Sequence, residues 1–266
     1  MLEFTKVKNP HLYVFGAGGT GGFALEFLSR LFAATEKKVT IDIYDGDAVE
    51  NKNLKRQNFT VDDLDKNKAT ALIQRLKRQV INPPTFVEHT SYVIDVNDLE
   101  AELLLNTEKD ETAIVVMAVD NIATRRLINQ AIEDLSDSLP IITLDSGNNN
   151  QGGQVVIYAN SQVKMTSIMG KDRYVHLPTM LQLYPEIDII KDGRDENPGL
   201  SSYCAAESDA KPQAMMSNVR NGEILASLAY QVSQNEPIPY NVWQSSDLIN
   251  VTSAALWLSA TERNGR

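Results

Sequence analysis

A glycine-rich loop near the start of the chain constrains the fold more than any other part of the sequence. Residues 16–22 read GAGGTGG. They follow an apolar run at residues 11–15, which predicts a buried strand, and they open a stretch with apolar residues at helical spacing over residues 19–32. The order strand, glycine loop and helix is typical of the first unit of a nucleotide-binding α/β fold.

In the spacing G-x-G-x-x-G, each glycine is needed for a different physical reason. Gly16 permits a tight turn, Gly18 permits a phosphate to approach the backbone closely, and Gly21 permits the helix to pack close to the strand. The amides and the positive dipole end of the following helix would attract an anion. A nucleotide site is therefore predicted, with a glycine-rich turn that binds no ligand as the alternative.

Strand and helix patterns continue to alternate through the first half of the chain. Further strands are predicted at residues 39–44, 86–89, 113–119 and 141–144, and further helices at residues 66–80, 97–105 and 122–135. Such alternation implies right-handed crossovers, which build a mostly parallel sheet with helices on both faces. The sequence thus predicts an α/β, Rossmann-like fold over residues 1–145.

The pattern changes after residue 145. The predicted elements are a strand at 154–158 outside the alternation, a long loop-rich crossover at 161–203, a helix at 215–232, and a terminal hairpin from 240–243 and 248–253. We predict a single domain over residues 1–266. Its second part, residues 146–266, extends the sheet with antiparallel strands and adds the crossover loop, the C-terminal helix and the hairpin.

Composition argues against several classes of protein. The formal net charge of −10 disfavours nucleic-acid binding, because phosphate contact needs an excess of Lys and Arg. The apolar runs are too short to span a bilayer, and residues 1–10 do not read as a signal peptide. The single cysteine, Cys204, permits neither an intrachain disulfide nor a four-cysteine zinc site. We expect a cytoplasmic protein with no membrane or nucleic-acid partner and no zinc.

The segment after the second predicted strand bears on which nucleotide is bound. Residues 45–57 read DGDAVENKNLKRQ, and Lys68 follows at the start of the next helix. Asp45 could hold ribose hydroxyls in either NAD or ATP. Two cations near the glycine loop, Arg56 and Lys68, would neutralise a triphosphate, whereas a dinucleotide pyrophosphate relies mainly on backbone amides. The segment favours ATP, with an NAD-dependent dehydrogenase as the rival.

Several segments together resemble the ThiF/MoeB/HesA family, relatives of ubiquitin-activating enzymes. The pattern DxDxVxxxNLxRQ begins at Asp45 and is followed by Lys68. Matching segments are also the GAGGTGG loop, AVDN at 118–121 with Arg125, DSG at 145–147, and GQVV at 153–156. The similarity runs from residue 12 to about residue 158. Within the family, the chain is similar to the ThiF-type proteins of PRTRC gene clusters.

The resemblance implies an adenylyltransferase that uses ATP and Mg²⁺ to activate the C-terminal tail of a small ubiquitin-like protein, and that forms a homodimer. It implies that Asp45 binds ribose and that Arg56 and Lys68 contact phosphates. Asp120 would face the α-phosphate and the magnesium ion, and Asn53 would help to order the site. The full implied binding set is Gly16, Gly18, Gly19, Gly21, Asp45, Asp47, Asn53, Arg56, Gln57, Lys68, Asp120 and Asn121.

Simpler explanations exist for the same residues. Asp120 and Asn121 could cap the helix that follows them, and Arg56 could be a solvated surface charge. Residues 1–11 also contain no arginine, whereas many family members carry one there that reaches the ATP of a neighbouring subunit. This departure favours a second hypothesis, a non-catalytic ATP-binding interaction module.

Cys204 lies where some family members carry the cysteine that accepts the activated tail as a thioester. A thiol near a helix start can have a lowered pKa and act as a nucleophile. The alternative is a small buried hydrophobic residue. The sequence leaves both open.

Overall fold

The structure is a computed structural model that describes residues 2–5, 7–35, 37–148, 152–160, 162–167, 177–185, 215–238, 242–246 and 250–254. The strands are β1 (Leu2–Thr5), β2 (Pro10–Phe15), β3 (Thr40–Tyr44), β4 (Thr85–His89), β5 (Thr112–Met117), β6 (Ile141–Asn148), β7 (Gly152–Ala159), β8 (Lys164–Ser167), β9 (Val242–Ser246) and β10 (Asn250–Ala254). The helices are α1 (Gly19–Ala33), α2 (Lys68–Gln79), α3 (Val96–Asn106), α4 (Ile122–Asp134), α5 (Met180–Leu183) and α6 (Met215–Ser233).

The main sheet is parallel on one side and antiparallel on the other. Its strand order is β10-β9-β7-β6-β5-β2-β3-β4. Neighbours from β6 to β4 run parallel, and β7, β9 and β10 add antiparallel strands beyond β6. This confirms the predicted Rossmann-like sheet, its antiparallel extension and the terminal hairpin.

Helices cover both faces of the parallel strands. Leu12 and Val14 of β2 belong to a core cluster with α1, α2 and α6, whereas Tyr13 and Phe15 belong to a second cluster with α3 and α4. Successive side chains of a strand point to opposite faces, so a strand that is buried on both faces reads as a continuous apolar run. That is why the short apolar runs in the sequence marked the sheet correctly.

The C-terminal helix α6 packs directly on α1. A Cβ atom at Gly222 would lie 2.9 Å from the Thr20 carbonyl oxygen and 2.8 Å from Phe23 Cβ, so only glycine permits this approach. The contact brings α6, which lies far along the chain, against the helix that follows the glycine loop. Within the described ranges, no helix is both long and apolar enough to cross a membrane.

Several element boundaries differ from the predicted ones. Helix α2 begins at Lys68 rather than residue 66, because the Asn67 side chain accepts hydrogen bonds from the amides of Ala69 and Thr70 and caps the helix. Strand β5 ends at Met117, two residues earlier than predicted. Strand β6 continues to Asn148, because antiparallel pairing with β7 extends it beyond its apolar core.

Three elements were not predicted: β1, β8 and α5. The expected loop at 161–203 contains β8, which pairs with β1 in a separate two-stranded sheet, and the short helix α5. Helix α5 carries a capping box, in which Thr179 and Gln182 exchange hydrogen bonds. Within this loop, residues 191–199, which read KDGRDENPG, lie outside the described residues.

A network of buried and half-buried ionisable groups crosses β2, β3 and β4 beside α3. The Asp42 carboxylate lies 2.5 Å from His11 Nε2 and 2.6 Å from His89 Nε2. The second nitrogens of the two rings face Glu111 and Glu102 at 3.3 and 3.0 Å, respectively. Burial by itself would lower the pKa of His11, but Asp42 and Glu111 outweigh it and raise that pKa above its usual value.

This network predicts a pH dependence of stability. Because the pKa of His11 is raised in the folded protein, its protonated ring stabilises the fold fully below pH 6.5, and this contribution is lost as the pH rises through the folded-state value. The advantage of the wild type over His11→Gln in urea unfolding should therefore shrink above pH 6.5, with a slope of at most about 1.4 kcal/mol per pH unit. Parallel pH profiles for the two proteins would contradict this account.

Candidate functional site

One cavity lies where β2, β3, β5 and β6 present their carboxyl ends, at the edge where open α/β sheets bind ligands. Most of the residues that the sequence singled out line it. They are Gly16, Gly18, Gly19, Asp45, Asp47, Arg56, Gln57, Lys68, Asp120 and Asn121. Gly21 and Asn53 lie behind its wall. The structure thus brings the glycine loop, the two cations and the Asp120 carboxylate together, although they are far apart in the sequence.

The glycine loop is shaped by close main-chain contacts. Gly16 has a φ of +92°, and a Cβ atom there would lie 2.6 Å from the Ala118 carbonyl oxygen. A Cβ atom at Gly21 would lie 1.8 Å from the Gly16 carbonyl oxygen. Gly18 differs, because a Cβ atom there would find its nearest described neighbour, the Gln57 side chain, at 3.7 Å. The fold itself therefore needs glycine at 16 and 21, whereas at 18 it would tolerate a small side chain.

The start of α1 presents amide donors that could bind an anion. No side chain in the described ranges caps its first turn, whose amides have no partners within the helix itself. Beside it, the Gln57 side-chain oxygen is buried and has no hydrogen-bond partner among the described residues. These groups can receive an anion and a hydrogen-bond donor, respectively.

Asp45 fixes the loop to the end of β3. One carboxylate oxygen accepts a hydrogen bond from the Ala17 amide at 2.7 Å, and the other accepts one from the Asp47 amide at 2.9 Å. Burial raises the pKa of Asp45 to about 6, although the charge of Lys68 opposes the shift. Each carboxylate oxygen can still accept another hydrogen bond, so Asp45 can both hold the loop and bind a ligand hydroxyl.

Lys68 is engaged by carboxylates. Its ammonium group lies 2.6 Å from Asp47 Oδ2, and the Tyr92 hydroxyl donates to the other Asp47 oxygen. Burial alone would lower the pKa of Lys68, but the charges of Asp45 and Asp47 outweigh it and raise that pKa. The same ion pair outweighs burial at Asp47 and holds its pKa below the usual value. Lys68 is therefore a fixed and fully charged group.

Arg56 is held by its main chain. Asn53, which is 3% exposed, accepts hydrogen bonds from the amides of Arg56 and Gln57 through its carbonyl oxygen at 3.2 and 2.9 Å. The Asn53 side chain binds the Glu50 amide, so Asn53 shapes this segment from below rather than lining the cavity. The Arg56 guanidinium, by contrast, has no ion-pair or hydrogen-bond partner in the described part of the chain.

Asp120 and Asn121 have different roles: Asn121 caps α4, and Asp120 faces the cavity. The Asn121 side chain accepts a hydrogen bond from the Thr124 amide at 2.7 Å and caps α4, as the simpler explanation supposed. Asp120 does not cap the helix. It is exposed, lines the cavity, and its charge acts on both Lys68 and Arg125. A carboxylate in this position can interact with a metal ion or a phosphate-bound cation.

Arg125 is buried rather than a solvated helix-face charge. It pairs with Asp145, and it also donates to the carbonyl oxygens of Val119 and Ser146 at 3.0 and 3.2 Å. Burial lowers the pKa of Arg125 to about 10, against the charge of Asp120, so the guanidinium stays protonated at neutral pH. The side chain ties α4 to the ends of β5 and β6 and so supports the cavity wall.

Sequence reasoning missed a group of amide and hydroxyl side chains in the cavity. Asn148 of β6 donates to Thr20 Oγ1 at 2.9 Å and to Asn218 Oδ1 at 2.7 Å, and Asn218 donates to the Arg56 carbonyl oxygen at 3.1 Å. Tyr92, which packs its ring against Gly46, was missed as well. Their separation along the chain left no local pattern by which to find them.

Within the described ranges, no group of three or more His, Cys, Asp or Glu side chains is arranged to hold a metal ion. Cys204 lies outside the described residues.

The sheet order and the glycine loop at its carboxyl edge define an α/β protein of the Rossmann-like class. The model of the ThiF family matches residues 2–197, and the chain belongs to that family. This confirms the resemblance to the ThiF/MoeB/HesA class, while the PRTRC subgroup stays a prediction.

Two curated relatives match part of the chain. The chain is 27% identical over 145 residues to ubiquitin-like modifier-activating enzyme 5 of Oryza sativa subsp. japonica, an alignment that covers 51% of the chain and 32% of that protein. It is 34% identical over 127 residues to the sulfur carrier protein ThiS adenylyltransferase of Bacillus subtilis (strain 168), covering 47% of the chain and 34% of the relative. The alignments thus span about a third of each relative.

Solved structures share the fold over nearly the whole chain. Escherichia coli MccB with AMPCPP and selenomethionyl MccA gives a TM-score of 0.60 at 19% identity, covering 96% of this chain and 66% of that one. E. coli MccB with ATP gives a TM-score of 0.58 at 22% identity, with the same coverage of both chains. At these identities, the likeness shows the fold alone.

The contacts at Gly21 predict a large loss of stability on Gly21→Ala. The new Cβ would overlap the Gly16 carbonyl oxygen, so the loop must shift, which should cost about 3 kcal/mol of unfolding free energy in urea titration. Gly147→Ala is the matched control, because the nearest atom to its Cβ is the Gln154 amide nitrogen at 4.0 Å. Equal unfolding midpoints for the two variants would show that the loop geometry is wrong.

Proposed function

We propose that the chain uses ATP and Mg²⁺ to adenylate the C-terminal carboxylate of a small ubiquitin-like protein. The observation that carries the proposal is one cavity that combines the glycine loop, a charged Lys68, an exposed Asp120 and an Arg56 whose guanidinium has no partner among the described residues. The two curated relatives, by their names, activate a ubiquitin-like modifier and adenylate the sulfur carrier ThiS. The solved structures with ATP and AMPCPP support the choice of nucleotide.

Phosphates would meet three kinds of donor. The first-turn amides of α1, next to the glycine loop, have no side-chain cap and can donate to a phosphate. Gly18 leaves room for the phosphate to approach the backbone. No acidic group among the described residues pairs with the Arg56 guanidinium, so this cation can interact fully with the triphosphate. Lys68 would share its charge between Asp47 and the phosphates. A dinucleotide pyrophosphate relies mainly on backbone amides, so it would leave the Arg56 guanidinium with little to bind, which argues against a dehydrogenase.

The ribose would lie against Asp45. The two amides that bind its oxygens orient the carboxylate toward the cavity, where it can accept the ribose hydroxyls. The pKa of Asp45, about 6, leaves the group mostly ionised at neutral pH, so it accepts rather than donates.

Asp120 is the residue that would hold Mg²⁺, which would supply positive charge near the α-phosphate. In the reaction, a carboxylate oxygen of the tail forms a bond to the α-phosphorus, and the bond from that phosphorus to pyrophosphate breaks. The nucleophile of this step is the tail carboxylate itself. The chain's contribution is to align the two reactants and to offset their negative charge.

A second step would transfer the tail to Cys204. The thiolate would attack the acyl carbon, and AMP would leave. Thioester formation rests on the family resemblance, because Cys204 lies outside the described residues. The homodimer rests on the same resemblance.

Asp120→Ala should lower ATP–pyrophosphate exchange by about a hundredfold or more in the presence of the partner, because it removes charge placement that acts in the transition state. Folding should be unchanged, since Asp120 is exposed. Asp62→Ala, a change at an exposed carboxylate away from the cavity, is the matched control. Exchange that persists in Asp120→Ala would remove this residue from the mechanism, and ATP binding without any exchange in the wild type would favour the non-catalytic module.

Cys204→Ala should separate the two steps. Exchange measures only formation and reversal of the adenylate, so it should stay at the wild-type level. A reductant-sensitive adduct between the chain and its partner, seen on a non-reducing gel, should disappear. An undiminished adduct in Cys204→Ala would dismiss this cysteine as the acceptor.

A further inference from the structure

Asn218 lies in the first turn of α6 and joins separate walls of the cavity. It is 1% exposed. Its amide nitrogen donates to the Arg56 carbonyl oxygen at 3.1 Å, and its amide oxygen accepts from Asn148 at 2.7 Å. Asn148 in turn donates to Thr20 Oγ1 in the first turn of α1. The side chain therefore connects α6, the Arg56 segment, β6 and the start of α1.

The glycine loop accommodates this side chain. A Cβ atom at Gly19 would lie 2.4 Å from the Asn218 amide nitrogen. The glycine at position 19 thus makes room for Asn218, which rests directly on the loop. This requirement is separate from any contact between the loop and a phosphate.

The bond from Asn218 completes the support of the Arg56 main chain. The Arg56 amide is held by Asn53 at 3.2 Å, and the Arg56 carbonyl oxygen is held by Asn218. The guanidinium has no partner in the described part of the chain. Because no described side chain holds the guanidinium, the position from which it reaches the cavity depends on these two main-chain bonds.

We propose that Asn218 is a positioning residue for ATP: by holding the Arg56 carbonyl oxygen against α6, it sets where the guanidinium meets the phosphates. The proposal deepens the proposed function and rests on it. It also means that the nucleotide site is completed from a helix far along the chain, beyond the segments on which the family resemblance was based. Asn218 does not need to touch the nucleotide for this role.

The test measures ATP and adenosine affinity by calorimetry for the wild type, Asn218→Ala and Ser217→Ala. Losing the bond to Arg56 should weaken ATP binding about tenfold and leave adenosine binding unchanged, because only phosphates need Arg56. Ser217→Ala is the matched control, since its buried hydroxyl has no described hydrogen-bond partner and it does not line the cavity. A wild type that binds no ATP would overturn the proposed function itself, whereas equal losses for ATP and adenosine would overturn only the role of Asn218.

A double-mutant cycle separates positioning from a general effect on the fold. In an Arg56→Ala background, Asn218→Ala should cause no further loss of ATP affinity, because the group that it positions is gone. An additional tenfold loss there would refute the proposal. If Asn218→Ala does not fold, Asn148→Ala decides the matter, since it removes the bond that orients the Asn218 amide and leaves α6 intact. An ATP-selective loss supports positioning, and no loss or an equal loss of adenosine refutes it.

Discussion

The close approach of two stretches of main chain, around Gly16 and Ala118, is the constraint on which the rest of the cavity depends. The turn after β2 touches the end of β5, and α1 starts so near this turn that Gly21 cannot carry a side chain. Asp45 then binds the loop amide at Ala17 and fixes β3 to the same point. With the ends of three parallel strands held together, the polar groups that follow each strand must share one cavity.

Charge within that cavity is unevenly distributed. Asp45 and Asp47 surround Lys68, so this cation is already balanced in the protein and serves to organise the acidic strand end. Arg56 has no such partner among the described residues and remains available to an anionic ligand. This division explains how a protein with a net charge of −10 can offer a local site for phosphates.

Much of the fold was readable from the sequence, because buried parallel strands appear as apolar runs and helices as a 3.6-residue period. The glycine loop, the strand-end Asp45 and the antiparallel hairpin were all predicted in place. Each error in the predicted elements has a physical cause. Asn67 caps α2 and shortens it, and pairing with β7 lengthens β6. The strands β1 and β8 pair across most of the chain, and four-residue segments of this kind carry too little pattern to be recognised.

The sequence by itself determined the order of the strands of the main sheet and of the long helices, the family, and the residue types that could bind a nucleotide. Those properties are encoded locally, in periodicity and in motifs a few residues long. Only the tertiary structure decided that Lys68 is paired while Arg56 has no ion-pair partner among the described residues. It also decided that Arg125 is buried against Asp145 and that Asn218 reaches across to the Arg56 carbonyl oxygen. These are contacts between elements distant in the chain, and their partners are fixed by how α6 and the sheet pack rather than by any neighbouring residue.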